Sequence, residues 1–372
     1  MNAVIVGAGA SGLLHALALR AAGVQIEAIY DPDHIRAEAL ADACGARTVT
    51  SVAAAASTDA SIAAICSPPN VHVEQAEALT ATGRVVFVEK PVAVSRAGLD
   101  RLRQLPRCVP IVQWRAGRAL RALRRAIAAG DLGAAPIVSC ELSWPRDDAY
   151  FRARSTWACG VVLSIGIHAL DAIGWALGRP IERTAALAMS RSVDLERETG
   201  AAAVLRFAGG AMASFAISVD GGGPEVTRIT ISGSRTTVRL EGGEADPTGG
   251  VLGWHAENRR ERERLEALEA STAGALGMPL LVPYLGAAVA AIRDGEEPGA
   301  SERLPSIDET FHAHAAAMMI AEAMPSQAYG LPLATATRAD GPRGVPSDGG
   351  AVNVIAVSET GEFASASSAG RA

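Results

Sequence analysis

Lysine is almost missing from this chain of 372 residues: 34 positions are basic, yet Lys90 is the only lysine and every other cation is arginine. A surface cation can be either residue, whereas a compact ammonium with a tunable pKa has no guanidinium substitute, so the lone lysine is a candidate for chemistry. Long apolar runs are missing too. Hydrophobic residues make up 49% of the sequence, but none of their runs reaches the roughly 18 uncharged residues of a membrane span, so no membrane partner is expected. Cysteines are few, odd in number and without metal-ligand spacing (Cys44, Cys66, Cys108, Cys140, Cys159), which points to reduced thiols and no zinc. An excess of positive charge is also absent. A net charge of -6 with interspersed signs offers no field for a polyanion, so nucleic acid is not an expected partner. The arginine clusters at 118–125 and 259–264 have helical spacing and read as solvated helix faces. No basic n-region precedes the apolar residues 3–6, so no secretory signal is read there and a cytoplasmic location is expected.

What is present has a clear order. The length predicts more than one core. Residues 3–6 form a short apolar run ending at Gly7, residues 11–22 have helical periodicity, and 24–30 form a second strand, which together make a βαβ unit. Further strands at 62–66, 85–88 and 109–112 alternate with helical stretches near 34–43, 70–82 and 95–104, the rhythm of a doubly wound parallel sheet. After a helix at 119–129 the pattern changes. Residues 137–144 read as a strand, 161–177 as one long apolar helix, and from 185 strands follow one another, with hairpins at 202–219 and 226–241. Helices return at 278–294 and 306–323. The fold class predicted is therefore α/β, an N-terminal Rossmann domain over 1–117 plus a C-terminal α+β domain over 118–331 with an open, mainly antiparallel sheet. Its late helices are free to pack back on the first domain. Residues 332–372, rich in Ala, Gly, Ser and Pro, read as a mobile tail with a candidate strand at 352–357.

Gly7, Gly9 and Gly12 form a G-x-G-x-x-G where a strand ends and a helix begins, with Ala10 and Ser11 between them. Gly7 permits the tight turn, Gly9 lets the backbone approach a pyrophosphate, and Gly12 lets helix and strand pack closely. Phosphates would then meet free N–H groups at the helix N-terminus. Asp31 ends the second strand 19 residues after Gly12, where a carboxylate accepts both ribose hydroxyls and repels a 2′-phosphate, favouring NAD(H) over NADP(H). The alternative for Asp31 is a cap on the next helix.

Further segments resemble the Gfo/Idh/MocA oxidoreductases. Residues 65–72, with Ser67, Pro68 and His72, are similar to the family's loop beneath the nicotinamide. Glu89-Lys90-Pro91 resembles its E-K-P signature, and 160–171 resembles its glycine-led helix bearing the catalytic histidine. The hairpin at 202–219 and the Ile-Ser-Gly-Ser run at 231–234 are similar to its sheet domain. The resemblance runs from about residue 3 to 325. It implies a dinucleotide site that includes Ser67, Pro68, His72, Glu89 and Lys90, with Lys90 on the substrate oxygen and His168 taking the hydroxyl proton. An ammonium beside a reacting carbinol stabilises developing alkoxide, and imidazole titrates near neutrality. A lone histidine on an apolar helix is otherwise a core residue. Pro91 fixes the turn and is compatible with a cis Lys90–Pro91 bond.

One position departs from the family pattern: Ser164 stands where many members carry an aspartate, which implies altered substrate contact. Candidate substrate residues are Gln113, Arg115, Tyr150, Trp157, Ser164 and Asp171, with Arg146, Asp147 and Asp148 nearby. An arginine would suit a carboxylate or phosphate, and an ordinary surface loop is the alternative. Asp171 either orients His168 or packs. The resemblance implies hydride transfer between NAD(H) and a secondary hydroxyl or ketone of a cyclic polyol, amino sugar or nucleotide sugar. The alternatives are a redox-neutral NAD-dependent glycosidase and a non-enzymatic NAD-binding regulator. It also implies a homo-oligomer through the C-terminal sheet.

Overall fold

The computed structural model describes residues 1–134, 136–191, 197–243, 252–272, 274 and 280–324. The tail expected at 332–372, with its candidate strand, lies outside the described residues.

Short apolar strands alternating with helices build the first half. Strands β1 (Asn2–Val6), β2 (Gln25–Tyr30), β3 (Arg47–Thr48), β4 (Ile62–Ile65), β5 (Val85–Val88) and β6 (Cys108–Pro110) make one sheet in the order β3-β2-β1-β4-β5-β6. Every pairing is parallel. Helices α1 (Ala10–Ala21), α2 (His34–Cys44), α3 (Val52–Ala56), α4 (His72–Thr80) and α5 (Arg96–Arg103) connect the strands. Strands β1, β4 and β5 are buried on both faces, which is why they read as unbroken apolar runs instead of alternating ones. Periodicity does not reveal β3 and α3 because they span only 2 and 5 residues.

A tight 3-10 turn at Gln113–Ala116 leads out of β6 into α6 (Arg118–Ala128), α7 (Asp148–Arg152), α8 (Ile167–Leu177) and seven strands. These are β7 (Ile137–Ser143), β8 (Ile181–Met189), β9 (Gly200–Phe207), β10 (Met212–Ser218), β11 (Val226–Ser232), β12 (Thr236–Gly243) and β13 (Leu252–Ala256). The sheet order is β13-β12-β11-β7-β10-β9-β8. Both expected hairpins are present, and within this sheet β7–β10 is the one parallel pair among the described residues, the other pairs being antiparallel. Burial alternates along β7 and β10, as it must when one face is covered and the other open. Helix α11 (Ile307–Glu322) lies on β8 and β9 and against α8. The open face carries Ile137, Leu187, Met189, Val204 and Met212 exposed.

The helix expected as continuous over 161–177 is not so. Val162–Gly166 form a π-turn, and α8 begins only at Ile167. Ser164 Oγ donates to the Gly160 carbonyl at 2.7 Å, a bond of the kind that bends helices, and a Cβ on Gly166 would lie 2.9 Å from Phe215 on β10. The segment is thus pressed onto the sheet and locally underwound, as the i→i+5 bonding of a π-turn requires. Strand β13 also escaped the sequence pattern; α9 (Arg259–Ser271) secures it through Glu269, which accepts from the Leu252 amide and the Trp254 indole. Helix α10 (Leu281–Arg293) packs on α1, and Tyr284 Oη donates to the Pro110 carbonyl at 2.5 Å.

Candidate active site

Strands β1 and β4 are neighbours in the sheet but not in the chain, and the crevice at their carboxyl ends is where open parallel sheets bind ligands. Gly7 ends β1 with φ +101°, and a Cβ there would lie 2.6 Å from the Cys66 and Ser67 backbone at the end of β4. A Cβ on Gly12 would fall 2.0 Å from the Gly7 carbonyl oxygen, whereas a Cβ on Gly9 would meet nothing within 4 Å beyond its own chain neighbours. Two glycines therefore close the turn and the third leaves it open. No side chain caps α1, so the amides after Gly9, at Ala10 and Ser11, face that opening unsatisfied, as an anion site requires. The cradle fits a dinucleotide pyrophosphate.

Asp31 is anchored to the same turn. Its Oδ2 accepts the Ala8 amide at 2.7 Å and its Oδ1 the Asp33 amide at 2.9 Å, which leaves each oxygen a lone pair for a hydroxyl donor. The helix cap is Asp33, which accepts from Ile35 and Arg36; the capping alternative for Asp31 gives way to it. Across the crevice Ser67 Oγ donates to Gln75 at 2.5 Å, and Pro68 is exposed.

The loop after β5 carries Lys90, and three histidines from three helices hold it. The Lys90–Pro91 peptide is cis. His72 of α4 lies between the Ser67 and Pro91 carbonyls, 2.8 and 3.0 Å from its ring nitrogens. His314 of α11 accepts the Val92 amide at 3.2 Å. Glu89 Oε2 accepts the Lys90 amide, and its Oε1 sits 3.0 Å from His15 Nε2 on the buried face of α1. Burial opposes charge on both partners. The Cys66 thiol and the Glu89 carboxylate nevertheless raise His15 to about 10, and His15 and then Lys90 hold Glu89 down to about 2. The rings of His72 and His314 are thus committed to backbone, and the Glu89 carboxylate to the Lys90 amide and to His15. His15 and His314 were not among the residues the sequence singled out.

Lys90 Nζ donates to the Ser164 carbonyl at 3.1 Å, which brings the lysine against the π-turn that leads into α8. Burial lowers its pKa below the ordinary 10.5; Glu89 opposes this, and the Arg154 and Arg146 guanidinium groups add to it. His168 lies one helical turn beyond Ser164. Its ring stacks on Trp114 at 5.2 Å with planes 10° apart. Burial and then the Lys90 charge push it well below 6.5, and no hydrogen bond acts on it among the described residues. It is a neutral imidazole with lone-pair capacity to spare.

The other sequence candidates divide. Gln113 Oε1 is buried without a partner. Arg115 and Asp171 are spent on each other: Arg115 is buried and forms a two-pronged pair with Asp171 at 2.6 and 2.9 Å, with Glu309 at 3.2 Å, and Thr310 donates to Asp171. Asp171 therefore has its own partners and makes no contact with His168. Ser164 meets Lys90 through its carbonyl, while its hydroxyl serves Gly160. Asp147 caps α7 and Asp148 pairs with Arg191. Tyr150 and Trp157 both lie under the guanidinium of Arg154, 3.8 and 4.9 Å from it. Trp114 and Arg154 carried no sequence signal, since neither belongs to a motif.

A dinucleotide-type glycine turn ends β1, and Lys90 of the first half bonds to the π-turn that leads to His168 in the second, an arrangement of the two-sheet, nucleotide-binding class of oxidoreductase. Residues 1–107 match the oxidoreductase family's NAD-binding Rossmann fold and residues 120–239 the GFO/IDH/MocA C-terminal domain; the chain belongs to the Gfo/Idh/MocA oxidoreductase family. It is 32% identical over 192 residues to a protein of Amycolatopsis mediterranei (strain S699) named as a UDP-kanosamine synthase oxidoreductase subunit, a match over 48% of this chain and 52% of that protein. It therefore spans about half the length of that relative. It is 27% identical over 258 residues to the inositol 2-dehydrogenase of Rhizobium meliloti (strain 1021), covering 64% of this chain and 74% of the relative. In fold it is similar to the WlbA dehydrogenase of Bordetella pertussis, solved with NADH and UDP-GlcNAcA, at a TM-score of 0.74 and 22% identity over 87% of this chain and 95% of that one. Among the described residues no helix is long and apolar enough to cross a membrane.

Proposed function

We propose that the chain transfers hydride between NAD(H) and a secondary hydroxyl or ketone of a sugar-like substrate, with Lys90 and His168 as its catalytic residues. The observation that carries this reading is the 3.1 Å bond from Lys90 Nζ to the Ser164 carbonyl, which brings the ammonium beside the helix that bears a neutral, unpartnered imidazole. Gly7, Gly9, Ala10, Ser11 and Gly12 would hold the pyrophosphate, Asp31 the adenosine ribose, and Ser67 and Pro68 the nicotinamide side; the bound NAD+ supplies the hydride acceptor. Lys90 donates to the substrate oxygen and stabilises its alkoxide character as the carbinol C–H bond breaks. His168 takes the hydroxyl proton, leaving a ketone, and returns it in the reverse direction. Trp114 fixes the imidazole plane. Gln113 Oε1 is an acceptor for a second sugar hydroxyl, while His72 and Glu89 act by holding the loops around the site.

Preference for NAD(H) over NADP(H) rests on Asp31, whose two backbone amide bonds keep its carboxylate in place to repel a 2′-phosphate. The exposed apolar residues on the open face of the second sheet favour a second copy of the chain as their cover. Five free thiols suit a reducing cytoplasm.

The test is Lys90→Ala, followed by NADH absorbance on a panel of polyols and nucleotide sugars. Turnover is expected to fall roughly 10²- to 10⁴-fold while calorimetric NAD affinity stays nearly constant. Unchanged turnover overturns the assignment.

A further inference from the structure

The segment between β7 and the π-turn, residues 144–161, stacks arginines on aromatic rings at the rim of the cleft. Arg146 lies over Trp144 and Tyr150, Arg154 over Tyr150 and Trp157, and Arg191 from the end of β8 over Phe151. Two of these cations are neutralised: Arg146 pairs with Glu225, and Arg191 with Asp148 and Asp220. Arg154 is not. Among the described residues its side chain makes one hydrogen bond, to the Tyr150 carbonyl at 3.2 Å, its Nε is buried with no partner, and no carboxylate lies within ion-pair distance of it. A buried donor left without an acceptor is unfavourable unless something else supplies one.

Its position says what that something is. Arg197 pins the backbone around Arg154 by donating to the Arg154 and Ser155 carbonyls, and the turn Ser155–Trp157 packs against Pro69–Val71, which follows the β4 loop. Arg154 thus stands where the two halves of the cleft meet, close enough to Lys90 to act on its charge. The helix facing it adds no negative charge, because Ser164 is neutral and its hydroxyl is turned back to Gly160. A guanidinium laid on aromatic faces keeps its N–H edge free and in a fixed plane, the geometry that grips a carboxylate or phosphoryl group by two hydrogen bonds.

We infer that Arg154 is the specificity-determining residue for an anionic group, phosphoryl or carboxylate, carried by the substrate sugar, so that neutral polyols are poor substrates. This rests on the hydride-transfer reading for the position of the sugar ring, but not for the presence of the anion site.

The test measures NADH formation with myo-inositol, a hexuronate, a hexose 1-phosphate and a nucleoside-diphosphate hexose, for the wild type, Arg154→Gln and Arg154→Lys. At least one charged sugar is expected to exceed the neutral polyol in kcat/KM by roughly 100-fold, chiefly through KM. Arg154→Gln should remove that advantage, and Arg154→Lys should recover only part of it, since an ammonium cannot bond in the two-pronged plane. The charged arms separate a carboxylate from a terminal phosphate and from a diphosphate. A neutral polyol turned over as well as every charged sugar, or a ratio unmoved in Arg154→Gln, overturns the inference. Should no sugar be oxidised, calorimetric binding to the NADH-loaded protein decides. Charged sugars that bind to the wild type and not to Arg154→Gln would uphold Arg154 while the hydride-transfer reading falls, and absence of binding would sink the inference as well.

Discussion

Replacing His15 with leucine should destabilise the protein far more than the loss of one surface charge would. Its imidazole is fully buried, the Glu89 side chain is 11% exposed, and the two are 3.0 Å apart. Removing one member of such a pair leaves a buried charge without its counter-ion, which costs about 3–5 kcal/mol. At a slope of about 1–2 °C per kcal/mol for a chain of this length, this lowers Tm by roughly 5 °C. Replacing both members is milder, because no uncompensated charge remains. The double variant His15→Leu/Glu89→Gln is therefore expected to recover at least about 2 kcal/mol relative to the sum of the two single effects. The pH dependence follows from the directions of the shifts. Glu89 is depressed from 4.5 to about 2, so its contribution is present above 4.5 and is lost as pH falls toward 2. His15 is raised from 6.5 to about 10, so its contribution is complete below 6.5 and is lost as pH rises toward 10. The stability gap between wild type and double variant should thus be widest between 4.5 and 6.5 and shrink on both sides. Urea unfolding followed by fluorescence at several pH values reads all of this. A single-variant loss below about 1 kcal/mol, or strict additivity of the two changes, would refute the reasoning.

Two further outcomes are expected. Gly12→Ala puts a Cβ 2.0 Å from the Gly7 carbonyl, so the turn must shift and NADH affinity by calorimetry should drop roughly 100-fold; full affinity would mean that the turn is not the cofactor cradle. In the oxidation direction kcat/KM should show no acid limb near 6.5, because His168 is already neutral there, and should decline on the alkaline side below 10.5 as Lys90 loses its proton. An acid limb at the ordinary imidazole value, or an alkaline limb no lower than 10.5, contradicts the burial of these two groups.

Much of the fold is legible residue by residue. The βαβ rhythm, the glycine spacing and both hairpins follow from periodicity and turn chemistry, which are local. The misses are equally local in cause. Strand β3 and helix α3 are too short to show a period, and β13 owes its order to Glu269 from a helix later in the chain. The π-turn at 162–166 depends on Ser164 bonding backward and on Gly166 meeting Phe215, and neither contact can be read from an apolar stretch. Among the site candidates, Arg115 and Asp171 have the right residue types, but burial pairs them with each other. Arg154, by contrast, is one arginine among many until its aromatic neighbours, and the lack of a carboxylate partner among the described residues, are seen.

Alone, the sequence determined which groups are capable of chemistry: a glycine turn with no side chains to fill it, one ammonium, and an imidazole on an apolar helix. These are properties of composition and short-range spacing. Folding decided which of them are free to act. Charge and hydrogen-bond capacity are either spent or left over according to long-range neighbours. His15, His72, His314, Arg115 and Asp171 spend theirs on partners elsewhere in the chain, while Lys90, His168 and Arg154 keep charge or hydrogen-bond capacity unspent among the described residues.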